Sequence, residues 1–265
     1  MMSSIPDMVR VLISGNQAAL TGVAIKKDET IIRARPGHGH HSVEALTYKP
    51  ASICNSYQRA TLPNETAFYG CLGEKLPLDA DGFQSVKRAI TLSAMETSQL
   101  IRNEGNIHTC EKISFSQWNV NHPIHAISFI TDETFPYKHS RDLEYFREQY
   151  LLRASYLTQK QRDLICHINR EFTKQVCKDE EYEFTARLCH YLLHEFTIKG
   201  EMIGAILYPS VQTSGELGIN IALSEEATNR FLEYEHLFEC EIRKSVSGLC
   251  IEAVSQYNSQ FEQIK

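Results

Sequence analysis

The chain has no apolar run approaching the roughly 18 residues that cross a bilayer. Its opening, Met1 to Arg10, lacks a basic segment leading into an apolar stretch. A soluble, unsecreted, cytoplasmic protein is therefore expected, with no membrane partner. CxxC pairs are also missing. The eight cysteines stand singly at 54, 71, 110, 166, 177, 189, 240 and 250, which argues against a zinc ribbon or a compact disulfide framework and fits reduced thiols. Positive charge is not in excess either. With 27 Lys and Arg against 33 Asp and Glu the formal net charge is −6, so the broad basic surface that nucleic acid requires is not indicated. A local basic pocket for a small anion remains open.

Several catalytic signatures are absent as well. There is no GxxxxGK phosphate loop and no GxGxxG after a strand, which disfavours P-loop hydrolysis and Rossmann-type redox chemistry. Ser210 sits in Tyr-Pro-Ser-Val-Gln, not in the GxSxG elbow of a serine hydrolase. Two histidine groups invite a metal reading. Pro36 to His41 holds three imidazoles, and His190 with His194 has the i, i+4 spacing that places two ligands on one helix face. The first group has no cysteine or carboxylate at a ligand spacing. The second reads His-Tyr-Leu-Leu-His-Glu, without the glutamate that follows the first histidine in HExxH. Solvated or core histidines are expected, with no metal and no cofactor.

What is present describes a globular protein, with 42% hydrophobic and 23% charged residues in 265. No internal repeat or low-complexity linker divides it, so a single domain over 1–265 is expected. Residues 5 to 25 are helix-prone but interrupted by Gly15 and Gly22. Strands are expected over 28–35, 65–73, 111–118, 124–130, 202–208 and 217–223. Helices are expected over 85–103, 141–177, 181–198 and from Ser224 towards 235, the last with Ser224 as N-cap and acids in its first turn. The tail, 248–265, reads as helical. Strands and helices mix without a βαβ rhythm, so the fold class expected is α+β.

Ala205 to Leu223 is the most informative stretch, because a buried apolar strand runs into a polar, Gly-containing turn and then into a second strand. It presents Ser210 and Asn220 from strand ends, where binding groups are often carried. Arg33 and Arg35 end one strand, and Arg59 precedes another that reaches Tyr69. Guanidinium forks suit phosphate, and an aromatic face suits a ring. Glu96, in the helix Ile90 to Thr97, supplies a carboxylate of the kind that stabilises positive charge on a sugar during glycosidic cleavage.

Taken in order, Ile32–Arg33–Ala34–Arg35, Arg59 with Pro63 and Phe68–Tyr69, Ala94–Met95–Glu96, Gly204 to Ser210, and Asn220 to Leu223 resemble the RES domain family, over about residues 30–235. The resemblance implies an ADP-ribosyltransferase-like mixed sheet core with flanking helices, a helical insertion at about 141–177 and a helical tail at 248–265. It also implies an NAD+-degrading toxin neutralised by a partner antitoxin or immunity protein. By matching positions, Arg33 and Arg59 would hold the pyrophosphate, with Arg35 as the alternative to Arg33. Tyr69 would orient the nicotinamide ribose, Glu96 would stabilise the oxocarbenium-like transition state, and Ser210 with Asn220 would fix the nicotinamide side. Two departures stand out. Gln58 and Ala60–Thr61 replace the glycine and asparagine usual around the second arginine, and the aromatic usual beside the first arginine is missing.

The expectation is an NAD+ glycohydrolase or phosphorylase with NAD+ as substrate. The alternatives are a catalytically silent binding module and an ADP-ribosyltransferase acting on a macromolecule. The acceptor and any homo-oligomer stay open.

Overall fold

A computed structural model describes residues 4–15, 17–73, 82–102, 109–131, 141–213, 218–245 and 248–264. The protein is mixed α/β, about 36% helical and 34% strand. In chain order the helices are α1 Ile5–Ile13, α2 Val43–Leu46, α3 Gly82–Thr97, α4 Gln99–Arg102, α5 Arg141–Ala154, α6 Gln159–Thr173, α7 Glu183–His194 and α8 Glu225–Phe231. The strands are β1 Thr21–Ile25, β2 Thr30–Pro36, β3 Phe68–Leu72, β4 Thr109–Val120, β5 Ile124–Ser128, β6 Thr197–Ile198, β7 Glu201–Met202, β8 Ala205–Pro209, β9 Ile219–Leu223, β10 Leu232–Ser245, β11 Gly248–Tyr257 and β12 Gln263–Ile264. The chain divides into two compact units, each assembled from three stretches.

The first unit comprises Met1–Ile25, Lys49–Phe68 and Pro123–Arg230. Its strands run β1-β5-β8-β9. The β5–β8 pair is parallel, and β1–β5 and β8–β9 are antiparallel. Every residue of β8 and β9 is buried, which explains why both read as near-continuous apolar runs instead of alternating. Helix starts follow local chemistry. Ser4 accepts the Asp7 N–H ahead of α1, with Pro6 in its first turn, and Thr158 forms a reciprocal capping box with Gln161 at α6. The buried Gln161 amide then donates to the carbonyls of Leu12, Ser14 and Gln17, tying α6 to the end of α1. Behind β8, Phe129 stacks on Phe172 with ring centroids 4.7 Å apart, and Tyr208 lies 5.6 Å from Phe172. Gly204, at the entry to β8, has no room for a side chain. A Cβ there would stand 2.7 Å from Ile124 Cγ2.

The second unit comprises Lys26–Tyr48, Tyr69–His122 and Phe231–Lys265. Its strands run β3-β2-β4-β10-β11-β12, antiparallel at every step. Helix α3 packs on β2, where Ser93 Oγ donates to the Ile32 carbonyl at 3.1 Å. The core there joins Ile32, Ala89, Ile90, Ala94, Phe115 and Phe238, with Ala34 against it. Because strand side chains alternate, Ile32 and Ala34 face α3, and Arg33 and Arg35 occupy the other face of β2.

Thr197 and Ile198, expected at the end of a helix over 181–198, form β6, and two larger expectations are also corrected. The tail over 248–265, read as helix, forms β11 and β12. Residues 232 to 235, assigned to the end of a helix, begin β10, since α8 stops at Phe231. Residues 232 to 235 pair with the sequence-remote β4 and the tail folds back on β10 as a hairpin, and in both places strand pairing overrides local helix propensity. β10 pairs with β4 from Leu232↔Val120 onward, and its other edge is covered by β11. The expected insertion over 141–177 corresponds to α5 and α6, and the helix-prone start divides into α1 and β1.

Candidate functional site

Four of the seven residues singled out in the sequence lie in the second unit, and they gather about β2 and β3. Arg33 Nη1 donates to the Tyr69 carbonyl at 2.6 Å, and Arg35 Nη2 donates to the Thr47 carbonyl at 3.3 Å. Arg33 keeps part of its surface accessible, yet the atoms packed around its guanidinium desolvate it. That desolvation first, and the nearby Arg35 charge second, lower its pKa to about 9 against a small opposing effect of Tyr69. Desolvation lowers Arg35 too. An arginine does not lose its proton near neutral pH, so both are cations held at an energetic disadvantage. Arg35 Nε is buried and has no hydrogen-bond partner among the described residues.

Glu96 is carried near the end of α3 and is half-buried. Its charge helps to push up the pKa of the buried Cys71 thiol, chiefly raised by desolvation and lowered somewhat by Ser93. Cys71 pairs with Ile32 in the β2–β3 ladder and lies two residues beyond Tyr69. Glu96 thus comes to β3 on the α3 side, and the arginines border it from the opposite face of β2. Arg33 meets the main chain of Tyr69, and Glu96 lies near Cys71 on the other face of the sheet.

The other three lie in the first unit and also converge. Arg59 donates through Nη1 to the Phe172 carbonyl at 2.5 Å, and through Nη2 to the Lys174 carbonyl at 3.5 Å and the Tyr182 hydroxyl at 3.3 Å. Its guanidinium carbon stands 4.8 Å from the Tyr182 ring centroid and 5.9 Å from that of Tyr208. These carbonyls end α6, where the helix dipole is negative, so the cation is well placed there. Tyr208 precedes Pro209 and Ser210 and pairs with Asn220. Ser210 is fully buried, and its Oγ accepts the Thr213 N–H at 3.3 Å, closing a turn where β8 ends. Asn220 is 5% exposed on β9. Residues 214–217 of the turn expected to follow Ser210 lie outside the described residues.

Two further clusters were not assembled by sequence reasoning. In the second unit the buried Glu239 accepts the Gly39 N–H at 2.6 Å through Oε1, which also lies 3.4 Å from His41 Nε2, and it accepts the Tyr257 hydroxyl at 3.4 Å through Oε2. His38 Nε2 lies 2.9 Å from the Cys240 carbonyl, so that nitrogen carries the proton. In the first unit, Glu65, His190 and His194 each bring a ligand-type atom within 4.8 Å of the others. The i, i+4 histidine pair was visible in the sequence. Glu65 was not, because nothing in its spacing relates it to α7.

Compared with known protein families and with curated proteins, the chain matches none.

Proposed function

We propose that this protein binds NAD+ and breaks its nicotinamide–ribose bond, in a fold of the ADP-ribosyltransferase kind. The observation that carries the reading is the Arg33–Arg35 pair: two guanidinium groups on one face of β2, mutually repelling, with the Arg35 Nε buried and without a partner among the described residues. A pyrophosphate would supply an acceptor for that Nε and the opposite charge, in the fork geometry that guanidinium favours. The Tyr69 main chain accepts from Arg33, and by the resemblance its ring would serve the ribose end. Arg59, Ser210 and Asn220 enter through the resemblance alone.

In the reaction the bond from ribose C1′ to the pyridinium nitrogen breaks and its electron pair leaves with neutral nicotinamide. C1′ acquires oxocarbenium character, which the Glu96 carboxylate would stabilise. Water then adds at C1′ and releases a proton, giving ADP-ribose. Phosphate adds there in the phosphorolytic variant. A macromolecular nucleophile in the same position would make the protein an ADP-ribosyltransferase. Loss of NAD+ is toxic, so such an enzyme in a cytoplasm would act as a toxin or effector held by an antitoxin or immunity protein.

The test is NAD+ loss and nicotinamide release by the purified chain, with and without phosphate, beside Glu96→Gln. Turnover should fall about 10²- to 10³-fold in the variant, the scale seen when one preorganised electrostatic group is removed, and NAD+ affinity should hold. Equal turnover in both proteins would remove Glu96 from the chemistry. Binding of NAD+ without turnover by the wild type would replace the enzyme with a silent binding module, and loss of label onto protein or nucleic acid would identify transfer.

A further inference from the structure

We infer that Glu65, His190 and His194 form a binding site for a single divalent transition-metal ion of the zinc class. His190 and His194 are one turn apart on α7, with ring centroids 5.2 Å apart. Glu65 arrives on a turn of the Lys49–Phe68 stretch that fixes its carboxylate. The Glu65 N–H donates to the Leu62 carbonyl, and Glu65 Oε2 accepts the Leu62 N–H at 3.1 Å. The other oxygen, Oε1, is thereby left towards α7, 2.6 Å from His190 Nδ1. On the far side of that ring His190 Nε2 lies 3.5 Å from Glu195 Oε1. A carboxylate behind a ligating imidazole is the arrangement that holds the ring and sets its tautomer in zinc sites.

A shared proton explains the Glu65–His190 contact alone. It does not explain why His194 is brought to the same point, since two imidazoles one turn apart repel each other when both are protonated. A metal ion satisfies all three groups together. With bonds of about 2.0–2.1 Å, tetrahedral ligand atoms stand roughly 3.3 Å apart, and the three atoms here, within 4.8 Å, reach that spacing by side-chain rotation. Two nitrogens and one carboxylate oxygen suit zinc better than magnesium or calcium, which prefer all-oxygen shells. Glu65 and His190 are half-buried and His194 is exposed, so a fourth position would open to water. The acidic side chains of Glu195 and Glu226 add negative charge around His194.

The site would also hold the stretch that carries Arg59 against α7, whose Cys189 thiol lies 4.0 Å from the Arg59 carbonyl. Metal occupancy would then stabilise the Arg59 clamp on α6 without depending on any NAD+ chemistry.

The experiment is zinc titration of the full chain after chelator treatment, followed by calorimetry, with Co2+ absorption as a report on geometry. One ion per chain should bind, raise the melting temperature and give tetrahedral cobalt bands. His194→Ala changes an exposed side chain at the helix end and should keep the fold. It should weaken binding by at least about 10-fold, more than a second-sphere change such as Glu195→Gln, and abolish the thermal shift. Absence of stoichiometric binding to the wild type would overturn the inference. So would binding that His194→Ala and Glu65→Gln leave unchanged, the result expected if zinc were held instead by His38, His40 and His41.

Discussion

Arginine is used in two different ways in the two units. Arg59, in the first, has carbonyl oxygens at the end of α6, a tyrosine hydroxyl and two tyrosine rings arranged around its guanidinium. Arg33 and Arg35, in the second, stand close enough for one charge to disfavour the other, and a buried donor of Arg35 has no acceptor among the described residues. A satisfied buried cation stabilises the fold that holds it. A half-buried cation with a buried donor short of an acceptor needs something else, here the architecture of β2, to fix it in place, which is what the proposed pyrophosphate site would use.

The comparison breaks most visibly at Arg59. Arg59→Ala removes charge-assisted bonds to two main-chain carbonyls and should destabilise the protein by about 1.5–3 kcal/mol, the range for hydrogen bonds to charged groups. Chemical unfolding reads this directly. A loss below about 0.5 kcal/mol would show that the clamp on α6 is dispensable and that Arg59 is free to serve a ligand.

At Arg35 the same kind of change should act on binding and not on the fold. Arg35→Met keeps the aliphatic stem against the strand and removes a charge that opposes Arg33, so stability should stay within about 0.5 kcal/mol of wild type or rise. Affinity for inorganic pyrophosphate and for NAD+ should fall about 10- to 100-fold, and the salt dependence of binding should become shallower. If Arg35→Met unfolds the protein and leaves pyrophosphate affinity alone, the contrast with Arg59 disappears.

The parts that could be read from sequence are those whose signal is local. β2 was visible because apolar and polar residues alternate up to Pro36, and the starts of α1 and α8 because a serine side chain caps each. The buried pair β8 and β9 was visible as two short apolar runs. The C-terminal strands were missed because their only strong instruction is the open edge of β10, which no local pattern announces. Arg59 illustrates the same limit within the candidate site. A guanidinium in sequence looks equally suited to phosphate and to a helix end, and its partners are backbone carbonyls, which carry no residue identity. Glu65 was missed for a related reason, since only the turn at Leu62 aims it at α7.

The second unit contains its own control for the reading of Arg35, in a buried charge whose partners are present. Desolvation alone would raise the pKa of Glu239. The Gly39 N–H, held by a glycine at φ +81°, and the nearby His38 and His41 outweigh it, so the pKa lies below the ordinary 4.5. A carboxyl group whose folded pKa is depressed adds stability above its unfolded pKa, and that contribution is lost as pH falls from about 4.5 through the folded value. Wild-type stability should therefore decline more steeply than that of Glu239→Gln across this acid window, and the two curves should run parallel above it. Parallel curves throughout would mean that the histidine loop does not serve the carboxylate, and the Gly39 contact would then be no better a model of a satisfied charge than Arg35 is. A difference confined to the acid side would show that this unit can neutralise a buried charge where it needs to, which would favour reading the Arg35 Nε, without a partner among the described residues, as part of the proposed site and not as loose packing.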